Sequence, residues 1–153
     1  MTPSSTPRTI LFVCTGNTCR SPMAEAIAGH WLRVSGHGDW LAASAGTHAS
    51  SGQRPSREAI QALSAANMSC DSTSTPLTAE LVDGANIVLC LTQSHLHRAE
   101  TLAGGEGTRI ELLDPTGDIL DPVGCGQAAY DALVDHLQGV IPKRLEEIMP
   151  HAN

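Results

Sequence analysis

Residues 13–22 read Val-Cys-Thr-Gly-Asn-Thr-Cys-Arg-Ser-Pro and hold a thiol, a guanidinium and a hydroxyl at spacings that could do chemistry. Five residues separate Cys14 from Arg20, and Ser21 follows directly. An apolar, β-prone run at 9–13 precedes them, and a helical pattern follows from Pro22. Strand, tight loop and helix N-terminus therefore arrive in that order, which aims backbone N–H groups and the positive helix end at one point. The field that binds an oxyanion there also stabilises a thiolate. Arg20 adds a planar fork matched to phosphate oxygens. Gly16 and Asn17 tolerate the left-handed backbone that such a loop requires. Pro22 suits a first helical turn, where a missing N–H costs nothing. A nucleophilic thiolate at the floor of an oxyanion cradle points to phosphoryl transfer through a phosphocysteine. The plainer alternative is an inert buried Cys14 beside an N-capping Ser21.

The elements that must position this loop alternate. Strands are expected at 9–13, 40–44, 87–91 and 109–113, and helices at 21–35, 56–67, 76–84, 92–103 and 128–148. Met23, Ile27, Trp31 and Val34 form the apolar stripe of the first helix; Ile60 and Leu63 face inward from the second. Pro142 is a candidate disturbance in the last. Alternation implies a single doubly wound α/β domain, flavodoxin-like, with a four-stranded parallel sheet of order 2-1-3-4 and helices on both faces. In such sheets ligands bind outside the carboxyl ends of the strands, where Cys14 falls. Residues 1–7 read as a flexible tail before a domain at 8–150.

A phosphoryl transfer of this kind needs a general acid, and then a base to activate water. Asp121, Asp114 and Asp118 all lie in the long loop 114–126. Pro122 restricts Asp121 to an extended backbone, and Asp114 is also followed by proline.

Composition sets further bounds. The 153 residues carry nine Lys/Arg against sixteen Asp/Glu, a formal net charge of −7, which argues against a nucleic-acid partner. No apolar run reaches membrane-spanning length, and the first residues lack a signal peptide's apolar core. The five cysteines are odd in number and irregular in spacing, which fits a reducing cytoplasm better than a disulfide scaffold. No metal is expected: His95 and His97 form His-x-His without an evident third ligand. Cys70, Cys90 and Cys125 read as packing residues.

The run from Cys14 to Glu25, with Ser44-Ala45-Gly46, Pro76-Leu77-Thr78, the strand 87–91 and Asp121-Pro122, resembles the low-molecular-weight protein tyrosine phosphatase family. The resemblance covers nearly all of 8–149. It implies a metal- and cofactor-free enzyme acting on phosphorylated protein, with Cys14 as nucleophile, Arg20 as clamp and Asp121 as general acid and base. Ser21 would stabilise the thiolate. Thr15, Gly16, Asn17, Thr18, Cys19 and Ser21 would form a loop able to hold inorganic phosphate or similar oxyanions, supported by Ser44.

Position 18 bears on the substrate. Tyrosine phosphatases of this family usually carry a bulky aliphatic residue there, whereas Thr18 resembles the bacterial protein arginine phosphatases. A threonine hydroxyl can bond a guanidinium or orient water. Phosphoarginine is therefore the favoured substrate and phosphotyrosine the alternative. Two departures from the family pattern matter: Val123 stands where an aromatic usually flanks the substrate, with Tyr130 a candidate replacement wall, and no histidine precedes Pro76 near Ser72 to support Asn17. Cys19 could pair with Cys14 on oxidation or simply fill the loop. A thiol-dependent arsenate reductase would need a second cysteine soon after Cys90, and none follows. A non-catalytic phosphate-binding module is the remaining alternative.

Overall fold

Arg8–Cys14 (β1) lies at the centre of a four-stranded parallel sheet, with Trp40–Gly46 (β2) on one side and Ile87–Cys90 (β3) on the other. Arg109–Leu112 (β4) extends the sheet beyond β3, giving the order β2-β1-β3-β4. The structure, a computed structural model, describes residues 7–105 and 107–149. The expected tail lies outside them except for Pro7.

The continuous apolar character of β1 follows from burial on both faces. Ile10, Phe12 and Cys14 join the larger core with Arg20–Val34 (α1), Arg57–Ala65 (α2) and Gln127–Ile148 (α5). Leu11 and Val13 face the smaller core with Ala79–Gly84 (α3) and Gln93–Leu102 (α4). The doubly wound architecture and strand order expected from the alternation are thus present. Because the neighbours of β1 lie on opposite sides of it, the chain diverges at its carboxyl end and leaves a crevice there. Cys14 is the last residue of β1.

Several local expectations are corrected. The buried stripe of α1 is Met23, Ala24, Ile27, Ala28 and Leu32, while Val34 is 68% exposed, because the helix ends there and turns away at Ser35. Trp31 is half-buried and stacks on His37. Ile60 is half-buried too; α2 buries Ala59, Ala62 and Leu63. Pro76 and Leu77 are not helical: Leu77 N–H donates to the Gly46 carbonyl, and α3 starts only after Thr78, whose hydroxyl caps it. Pro142 lies inside α5 without interrupting it. No helix among the described residues is long and apolar enough to cross a membrane.

Candidate active site

The loop between β1 and α1 closes on itself through one buried side chain. Asn17 has φ 57°, a left-handed backbone that asparagine tolerates better than most residues. Its Nδ2 donates to Ser21 Oγ at 2.7 Å and to Ser44 Oγ at 2.9 Å, and its Oδ1 accepts the Thr75 N–H at 2.8 Å. Every hydrogen of its amide nitrogen is used, so its conformation is fixed from three sides. Thr47 and His48 donate backbone N–H groups to the carbonyls of Cys14 and Thr15, and Ser56 N–H donates to the carbonyl of Thr18. Gly46 lets the loop pass this close: a Cβ there would stand 2.5 Å from the Thr15 carbonyl oxygen and 3.0 Å from Asn17 Cβ.

Cys14 is buried, with Sγ 2.9 Å from Ser21 Oγ. Because Asn17 donates to Ser21, the Ser21 hydroxyl hydrogen is available to the sulfur. Ser21 lies inside the first turn of α1 and caps nothing; Cys19 holds the N-cap position and its side chain makes no cap bond. The first α-helical bond runs from Met23 N–H to the Cys19 carbonyl, which leaves the N–H groups of Arg20 and Ser21 outside the helical ladder.

Arg20 is buried beneath the loop. Nη1 donates to the Ile119 carbonyl at 3.0 Å, and Nη2 to Thr15 Oγ1 at 3.3 Å. Nε has no partner among the described residues. A buried guanidinium N–H without an acceptor is costly, and an oxyanion in the loop would satisfy it.

Of the three aspartates, only Asp121 reaches Arg20, with Oδ2 3.5 Å from Nη2 and the side chain 46% exposed. Its Oδ1 accepts the Val123 N–H at 3.1 Å and lies 3.7 Å from Cys19 Sγ. Asp118 instead accepts the N–H of Gln93 at the start of α4. Asp114 bonds Thr116 and lies 3.5 Å from His136, and these partners hold its carboxyl below the usual range.

Thr18 is half-buried, with Oγ1 3.7 Å from where a Cβ on Gly16 would stand. Val123 is 60% exposed beside Asp121. Tyr130, weighed from the sequence as a replacement wall, is 4% exposed and packed in the core from α5. Burial, the Cys14 sulfur and Asp121 push the Cys19 thiol up to about 12, so it stays protonated at neutral pH. Cys90 is buried on the opposite face of the sheet from Cys14, its thiol also pushed up to about 12 by burial. That placement disfavours a cysteine relay.

The missing histidine near Ser72 is replaced by other contacts. Thr75 N–H meets Asn17 Oδ1, and Ser44 Oγ donates to Glu25 at 2.6 Å. Burial pushes the Glu25 carboxyl up, while hydrogen bonds from Ser44 and Ser72 pull it back. His95, weighed from the sequence only as half of a His-x-His pair, contacts the loop. It is buried, and its Nε2 lies 2.8 Å from Thr15 Oγ1, whereas His97 is exposed beside Glu100. Thr92-x-x-His95 just after a strand has the form of a capping box with histidine in the usual Glu/Gln place, and that was the available signal.

A family model described as Low molecular weight phosphotyrosine protein phosphatase matches residues 9–151. A protein-arginine-phosphatase of Bacillus subtilis is 33% identical over 144 residues, covering 91% of this chain and 95% of that protein. A low molecular weight protein-tyrosine-phosphatase, PtpB, of Staphylococcus haemolyticus is 32% identical over 137 residues, covering 88% and 95%. The solved YwlE arginine phosphatase from Geobacillus stearothermophilus superposes with a TM-score of 0.82 at 32% identity, covering 93% of each chain.

Proposed function

The chain belongs to the low-molecular-weight phosphotyrosine protein phosphatase family, and from that premise we propose that it removes phosphoryl groups from phosphoarginine in proteins. In this reading Cys14 Sγ attacks phosphorus in line, the P–N bond breaks, and the protonated Asp121 carboxyl gives its proton to the departing guanidine nitrogen. The Asp121 carboxylate then takes a proton from water as it attacks the phosphocysteine. The S–P bond breaks, phosphate leaves and the thiolate is restored. Arg20 and the loop N–H groups neutralise charge on the three non-bridging oxygens as it builds. Ser21 donates to the sulfur as nucleophile and again as leaving group.

The observation that carries the phosphatase reading is the Nε–H of buried Arg20, without a partner among the described residues, beneath the loop that follows Cys14. Thr18 carries the choice of substrate. Its hydroxyl offers the guanidinium of phosphoarginine a hydrogen-bond acceptor that an aliphatic side chain lacks. The exposed Val123 supplies no aromatic stacking surface for a phosphotyrosine ring. The second reading, phosphotyrosine, draws on the family's description and on PtpB. The five irregularly spaced cysteines, all free, accord with action in a reducing cytoplasm.

The test is kcat/KM on phosphoarginine and phosphotyrosine peptides, under reducing conditions, for the parent and Thr18→Ile. A phosphoarginine preference that falls or reverses in the variant supports the proposal. A phosphotyrosine preference unchanged by the substitution replaces it with the second reading.

A further inference from the structure

The start of α4 reaches the loop through one imidazole. The Thr92 N–H donates to His95 Nδ1 at 3.1 Å, so Nδ1 carries no hydrogen and the ring's single proton sits on Nε2. Burial and the nearby Arg20 charge hold His95 down to about 4, which keeps it neutral near pH 7. Nε2–H therefore donates to Thr15 Oγ1 at 2.8 Å. The same oxygen accepts from Arg20 Nη2 at 3.3 Å. A hydroxyl has two acceptor sites, and both are filled. The Thr15 O–H hydrogen must point away from His95 and Arg20, and Thr15 is exposed at the loop.

We propose that His95 is a positioning residue: by donating to Thr15 it fixes that hydroxyl as an acceptor for Arg20 Nη2 and turns the hydroxyl hydrogen toward a bound oxyanion. Nη2 and Nε, which has no partner among the described residues, form one edge of the guanidinium, the edge suited to bidentate anion binding. Holding Nη2 at Thr15 and Nη1 at the Ile119 carbonyl fixes the direction of that edge before substrate arrives. This rests on the reading of Arg20 as the oxyanion clamp.

His95 also closes the α4 capping box, so the test must separate capping from donation. Glutamine and glutamate at this third helical position both accept the N-cap N–H. Only glutamine also has a donor for Thr15. Turnover of 4-nitrophenyl phosphate, affinity for orthovanadate and melting temperature are measured for the parent, His95→Gln, His95→Glu, Thr15→Val and Cys14→Ser. Expected is rescue in His95→Gln, to within about threefold of parental kcat/KM. His95→Glu and Thr15→Val should lose about tenfold or more in both kcat/KM and vanadate affinity at similar melting temperatures, the scale of one hydrogen bond to a charged group. Equal activity of the glutamine and glutamate variants, or an unaffected Thr15→Val, overturns the role of His95. Turnover that survives Cys14→Ser fails the reading of the site itself.

Discussion

Cys14 and Ser21 meet side chain to side chain at 2.9 Å, Sγ to Oγ, across the turn that carries the chain from β1 into α1. Asn17 donates to the same serine oxygen, so the direction of the Ser21 hydroxyl is set toward sulfur. The hydrogen bond matters most whenever sulfur carries negative charge, before attack and again as phosphocysteine breaks down. Ser21→Ala should lower kcat by about tenfold or more, the scale of one lost hydrogen bond to a charged group. Rapid-mixing kinetics with 4-nitrophenyl phosphate should show a burst of nitrophenolate followed by slow steady-state release. Parental kcat in this variant would remove Ser21 from the thiolate's support.

Asp121 is half-exposed, 3.5 Å from Arg20, on the side of the loop open to solvent. A carboxyl acting as general acid is needed in proportion to how poorly the leaving group departs unprotonated. Asp121→Asn should cost about a hundredfold or more on an alkyl-substituted phenyl phosphate, and less on 4-nitrophenyl phosphate. The measurement is kcat/KM across a series of aryl phosphates. A loss that is the same for every leaving group would mean that Asp121 serves only to pair with Arg20.

Gly46 ends β2 against the loop. Its φ is not left-handed, so its role is space rather than backbone freedom. The nearest obstacle to a Cβ is the Thr15 carbonyl at 2.5 Å, followed by Ala49 Cβ at 2.8 Å. Backbone cannot swing aside as a flexible side chain can, so Gly46→Ala should destabilise by about 1–3 kcal/mol, as overpacking does. Turnover should fall too, because the displaced atoms belong to the loop. Denaturant unfolding together with kcat/KM checks both; an unaltered midpoint and rate would show that the loop yields freely.

Most of the architecture was legible because two-sided burial writes itself as apolar runs: 9–13 and 87–91 read as interior strands of a parallel sheet. The choice among Asp114, Asp118 and Asp121 was only weakly so: spacing favoured Asp121 modestly, and Asp-Pro is as often a turn. Only the tertiary course of the loop brings one of them to Arg20. The burial of Tyr130 was not legible, because helical spacing tells which face is apolar, not what lies against it. His95 lies eighty residues from Thr15 in sequence, and their contact exists only because β3 pairs with β1. The pattern Thr92-x-x-His95 marked a helix start, but not the direction of the second imidazole nitrogen.

The same histidine gives the fold a pH signature. Unfolded, His95 binds a proton near its ordinary value of 6.5; folded, it does so only near about 4. Between those values the unfolded chain holds more protons, so stability is complete above 6.5 and declines as pH falls through the window. The slope from this group is at most about 1.4 kcal/mol per pH unit. Glu25 acts oppositely: its raised value lets the folded state hold a proton above 4.5, so its contribution weakens as pH rises. Glu111 and Asp114 are held low, and their contributions are lost only in more acidic solution. Denaturant unfolding at pH 7 and pH 5 should therefore show a less stable protein at pH 5, and His95→Gln, which has no proton to gain, should narrow the difference by about 1 kcal/mol or more. An equal difference in parent and variant would mean that the imidazole is charged in the folded state, and Nδ1 could then no longer accept the Thr92 N–H.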